Sequence, residues 1–128
     1  MMKSSAAAIA LAVLAVAPAA SANAPFLPHN TPHTFSGGEC NVTVQHGNYL
    51  GAAYAKIKGN HGWCYSIHVQ VVYADGNGQL QNALWEAGRP PDAGVWYQST
   101  QHYANIVGSN YYVCPWYGVC YFYQFSAI

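Results

Sequence analysis

The chain has 128 residues, only 6% of them charged, and a formal net charge of zero. Beyond an N-terminal leader, Lys56, Lys58 and Arg89 stand against Glu39, Asp75, Glu86 and Asp92, a net charge of −1. So few cations exclude the phosphate neutralisation on which nucleic-acid binding depends, and exclude a polybasic membrane contact.

Residues 1–22 have the three parts of an export signal. Met1-Met2-Lys3 is a short positive start, Ala6 to Val16 an apolar run, and Ala20-Ser21-Ala22 a small-x-small cleavage site. The apolar run is too short to span a bilayer, and no second run of spanning length follows. The expectation is a secreted, extracellular protein, periplasmic if the host has an outer membrane. Residues 23–128 remain, enough for one domain.

Residues 23–38 read as an extended, flexible arm. Pro25, Pro28 and Pro32 argue against a helix or a central strand, and Ser36-Gly37-Gly38 ends the segment. A β domain is expected over residues 39–128. Cys40 to Gln45 alternates at period two. In Tyr49 to Lys58, Tyr54, Lys56 and Lys58 share one face and Ala53, Ala55 and Ile57 the other. Trp63 to Tyr73 is the clearest strand, with apolar or aromatic residues at every odd position and a wetter even face beginning Cys64, Ser66, His68, Gln70. Asp75-Gly-Asn-Gly78 predicts a turn and Gln79 to Trp85 its returning strand. Gly88 to Asp92 is a proline-bearing loop. Strands are further expected at Gly94–Thr100, Asn105–Val107, Ser109–Cys114 and Val119–Ser126, with Pro115-Trp-Tyr-Gly118 as a turn. These elements predict an all-β fold, a small antiparallel β-sandwich or barrel.

Four cysteines in an exported domain of this size read as a disulfide framework rather than a metal or redox site. Three pairings are possible. Cys114 and Cys120 flank five residues containing Pro and Gly, so a hairpin would bring them into bonding reach; Cys40 and Cys64 would then join the first and third strands.

All nineteen aromatics (eleven Tyr, four Trp, four Phe) lie beyond the leader. The last strand is apolar on both faces, so some rings should remain exposed, where they can stack on sugar C–H faces or meet a protein partner. Trp116 at the turn leads this expected platform. Tyr117, Trp96 and Trp85 follow, with Tyr121 and Tyr123 on the last strand. His29-x3-His33 has helical metal spacing, but its prolines oppose a helix, and no metal or cofactor is assigned. Ser99 with His102, and the carboxylates Glu39 and Glu86, are the only hints of catalysis. No nucleophile, zinc or phosphate-loop motif occurs, so no catalytic residue is assigned and an enzyme is not expected.

Cys40-Asn-Val-Thr-Val, Ala53-Tyr-Ala-Lys56 and Cys64-Tyr-Ser-Ile-His-Val-Gln-Val-Val-Tyr73 resemble short secreted actinobacterial β-domain proteins of unassigned function. In those, a cysteine-led strand, an Ala-x-Ala-Lys-like segment and a second cysteine-led strand recur over the region matched by residues 40–73. The resemblance implies export, a β fold and a Cys40–Cys64 bond, and no site residues. The leading functional expectation is a non-catalytic binding module for neutral carbohydrate or cell-wall material. The alternatives are a secreted protein-binding factor (protease inhibitor or antagonistic toxin) acting through the Cys114–Cys120 loop, or a surface structural protein that self-associates.

Overall fold

Period-two alternation is realised, among the described residues, as nine strands in two antiparallel sheets. The structure, a computed structural model, describes residues 24–62, 64–88 and 94–128, with backbone alone at 61–62 and 87–88. The leader, Trp63 and residues 89–93 of the expected loop lie outside the described residues. The N-sheet has the order β1-β2-β3-β7, with β1 His33–Gly37, β2 Cys40–Tyr49, β3 Ala52–Gly62 and β7 Trp96–Gln98. The C-sheet has the order β5-β4-β8-β9, with β4 Ser66–Ala74, β5 Leu80–Asn82, β8 Asn105–Trp116 and β9 Val119–Ser126; β6 (Glu86–Gly88) pairs with β4 beyond β5. No described residue is helical.

The core fills the space between the sheets. Val42 and Val44 of β2 and Ala53, Ala55 and Ile57 of β3 meet Ile67, Val69 and Val71 of β4, and all are fully buried. Tyr111, Val113 and Phe125 complete it from β8 and β9. Each valine or isoleucine removed from water contributes about 1.5–3 kcal/mol. Small β3 alanines facing bulky β4 side chains let the two sheets approach.

Both disulfides form as the cysteine spacing suggests. Cys40–Cys64 joins β2 to the segment entering β4, and so ties the two sheets together. Cys114–Cys120 closes the β8–β9 hairpin.

Four local readings change. The segment expected as an arm is part of the fold: Phe26 makes a parallel bridge to Ser126, Leu27 is buried in the core, and His33–Gly37 pairs with β2. The folded unit thus begins before Cys40. Its prolines at 25, 28 and 32 lie before β1 and so remove no donor from its ladder. Second, the two expected strands at Asn105–Val107 and Ser109–Cys114 are one strand, because Gly108 lies close against the Phe125 carbonyl of β9 rather than in a turn. Third, the strand expected over Gln79–Trp85 is shortened to β5, and β6 follows it as a separate short strand. Fourth, Pro115 and Trp116 belong to β8, with Pro115 at a register irregularity, so the turn contracts to Tyr117-Gly118. The even face of β4 is also drier than its sequence suggests, since Ser66, Gln70 and Val72 are buried. Part of the cover is Ala83, whose carbonyl accepts the Gln70 amide at 2.9 Å.

Candidate binding groove on the N-sheet

The side of β3 opposite the core carries Tyr54, Lys56 and Lys58. Register places partners beside them: Gln45, Lys56 and Gln98 form one row across β2, β3 and β7, and Thr43, Lys58 and Trp96 the next. Both ammonium groups lie near one indole, Lys56 Nζ at 4.3 Å and Lys58 Nζ at 4.9 Å from the Trp96 ring centroid. Lys56 Nζ is also 6.0 Å from the Tyr54 ring. Cation–π attraction at such separations is worth roughly 0.5–1 kcal/mol per pair at exposed sites. Among the described residues neither lysine is joined to a carboxylate.

Next to this row is a groove of about 620 Å³, lined by Asn30, Gln45, Tyr49, Tyr54, Lys56, Gln98 and Gln101. That volume falls within the range of small-molecule sites. A hydrogen-bond chain fixes its base. The Gln45 amide donates to the Tyr54 hydroxyl at 2.8 Å, which donates to Asn30 Oδ1 at 2.6 Å. Asn30 itself, at φ 57°, donates its backbone N–H to the His46 carbonyl and its side-chain amide to that of Asn48. It rests against Gly47, where a Cβ would collide with it, so the groove wall requires glycine at that position.

His46 anchors this wall from inside. Its Nε2 donates to the Leu27 carbonyl at 2.7 Å, which leaves Nδ1 to accept from the Ser109 hydroxyl at 2.6 Å. Burial, partly offset by the Leu27 hydrogen bond and aided by the nearby His29, holds its pKa down at about 4. The neutral imidazole therefore bridges β2, β8 and the chain leading to Asn30.

The six expected platform residues do not meet in one place. Trp96 is on the outer face of the N-sheet, beside the groove. Trp85 lies on the outer face of the C-sheet, 4.8 Å from Tyr112, which in turn stands 5.1 Å from Phe122. Trp116 and the 82%-exposed Tyr117 occupy the hairpin tip, where Tyr117 meets Tyr65 edge-on. Tyr121 and Tyr123 are partly buried along the sandwich edge; Tyr123 packs 4.4 Å from Phe35 and Tyr121 lies beside Gly38. None of the residues lining the groove was named as a binding residue from sequence; Trp96, which was, lies beside it. The signal for the lining residues was the Tyr54-Lys56-Lys58 face opposite an alanine-rich core face, next to a glutamine-bearing segment.

The hints of catalysis come apart. The Ser99 hydroxyl accepts the Ala55 amide and donates to the Thr100 carbonyl, while His102 stacks on Tyr73 at 4.4 Å. The Glu86 carboxylate accepts the Thr100 N–H at 2.8 Å, and Glu39 is exposed in the β1–β2 turn. Among the described residues no group of three or more His, Cys, Asp or Glu is placed to hold a metal ion, and no helix is long and apolar enough to cross a membrane. Comparison with protein-family models, curated proteins and solved structures finds no match to this chain.

Proposed function

We propose that the protein is a secreted, non-catalytic module that binds carbohydrate, with the N-sheet groove and Trp96 as its site. The observation that carries this reading is the composition of the groove: four side-chain amides, two tyrosines and one lysine around about 620 Å³. Amides supply paired donors and acceptors suited to sugar hydroxyls, and rings supply flat apolar surface for sugar C–H faces. The export signal and the two disulfides fit an extracellular setting.

Depletion of the oxidised protein by insoluble polysaccharides and purified cell walls tests the reading. Saturable binding, lost in Gln98→Ala and Trp96→Ala variants that keep the wild-type unfolding midpoint, is the expected result. Binding unaffected by both variants would refute the site.

A second reading has its own support. Trp116 and Tyr117 are exposed on a turn braced by Cys114–Cys120, and a preordered aromatic loop lowers the entropy cost of protein docking. Inhibition of a target protein, abolished by Tyr117→Ala and untouched by Trp96→Ala, would favour it.

A further inference from the structure

We propose that the groove takes an anionic saccharide, with the acid group of the sugar seated at the Lys56–Trp96–Lys58 cluster. This rests on the carbohydrate reading above and names its ligand class. The sparse charge of the chain suggests a neutral ligand, but position outweighs number. Both lysines beyond the leader are two residues apart on β3 and therefore share one face. Both ammonium groups lie within 5 Å of the same indole centroid, with no carboxylate bonded to either among the described residues. Two like charges held over one ring repel, and a single anion between them relieves that repulsion.

The described carboxylates are engaged or placed elsewhere. Asp75 accepts hydrogen bonds from Asn77, Gln79 and Gln81 in the β4–β5 turn, Glu86 accepts from Thr100, and Glu39 is in the β1–β2 turn. Lys56 is a lining residue of the groove and is paired across the strands with Gln45 and Gln98. An acid group at the cluster thus leaves the sugar ring over the tyrosines and amides. With a net charge of zero for the chain, general attraction to polyanions is absent, so any preference for acid sugars must arise locally.

The test is titration of the oxidised protein with short oligogalacturonates, with the same sugars as methyl esters, and with sulfated and unsulfated dextran. The acid form of at least one pair is expected to bind about tenfold or more tightly than its uncharged counterpart, and that advantage should shrink as salt rises. Which pair responds tells carboxylate from sulfate. Lys56→Met and Lys58→Met, which keep apolar stems over Trp96, should each erase most of the advantage, read within each variant as the ratio of its affinities for the charged and the uncharged sugar. Equal binding of charged and uncharged forms would overturn the inference and leave the carbohydrate reading standing. Binding of none of the four would overturn both.

Discussion

Among the described residues, the aromatic rings on the two outer faces of the sandwich have opposite surroundings. On the C-sheet, Trp85, Tyr112 and Phe122 stand in a row with centroids about 5 Å apart, and His68 meets Tyr112 edge-on. Next to them Asn110 donates to Gln70, and Gln70 to the Ala83 carbonyl. Desolvation pushes the Tyr112 phenol up to about 12 and the His68 pKa down, as ring-on-ring packing on a half-buried surface should. On the N-sheet, Tyr49, Tyr54 and Trp96 show no stacking on one another among the described residues; their neighbours are lysines and amides. The proposed site therefore does not rest on the number of rings. It rests on whether the rings pack on one another or stand beside polar groups that could recognise a ligand.

The frame shared by both faces should be the most sensitive element. Replacing Cys40 and Cys64 together by alanine is expected to cost roughly 3 kcal/mol, because the bond closes a loop of 24 residues between the two sheets. Removing Cys114–Cys120, with its separation of 6, should cost less. Urea unfolding of the two double variants measures both, and the reverse order would contradict the account.

Acid should act through the N-sheet side. His46 has a native pKa near 4 against an ordinary 6.5, so its contribution is complete above pH 6.5, where both states are neutral. Below that the unfolded chain takes up a proton that the native site does not, and stability falls until about pH 4 by about 3 kcal/mol. His68, also depressed by burial, adds in the same direction. Asp75, held below 3.8, acts only in stronger acid. Unfolding curves from pH 7 to pH 4 should show the decline, and His46→Gln should remove most of it; an unchanged slope in that variant would assign the effect elsewhere.

Exchange of the two exposed-face tryptophans sharpens the contrast directly. Trp96→Ala should weaken saccharide binding by about 100-fold with little loss of stability, about 2.7 kcal/mol of binding free energy. Trp85→Ala should leave affinity unchanged and lower stability by about 2 kcal/mol, since its ring packs on Tyr112. Calorimetric titration and urea unfolding of both variants would expose any reversal.

The smallest effect concerns the rim. Leu50 has φ 52° and is 82% exposed beside Gly51 at φ 82°, the backbone of a two-residue turn that suits Asn-Gly. Leu50→Asn should raise stability by about 0.5–1 kcal/mol, read as a higher urea midpoint. A lower midpoint would mean that Leu50 makes a contact this account omits.

Much of the fold was legible because alternation is a local signal. Ala53, Ala55 and Ile57, or Ile67, Val69 and Val71, declare their inward face in the sequence, and Cys114-x5-Cys120 declares a hairpin. What escaped depends on long-range contacts. Residues 26–37 lack periodicity, so nothing local reveals that Leu27 is held by Ser126 and His46 or that His33–Gly37 adds to β2. The groove escaped for a like reason. Trp96 and the Lys56-bearing face were both visible, but the register that sets Gln98 and Trp96 against Lys56 and Lys58 joins segments about forty residues apart. The reading by aromatic abundance also named Trp116, Tyr117, Tyr121 and Tyr123, which the fold distributes over a hairpin tip and a packed edge.

Indole N–H resonances of the four tryptophans, Trp63, Trp85, Trp96 and Trp116, offer the most direct test of the site. Each can be assigned by a single Trp→Phe variant and followed while a bound saccharide is titrated in. Saturable movement of the Trp96 signal, with Trp85 and Trp116 fixed, is the predicted result. Movement of Trp116 or Trp85 while Trp96 stays in place would contradict the assignment of the N-sheet as the binding face.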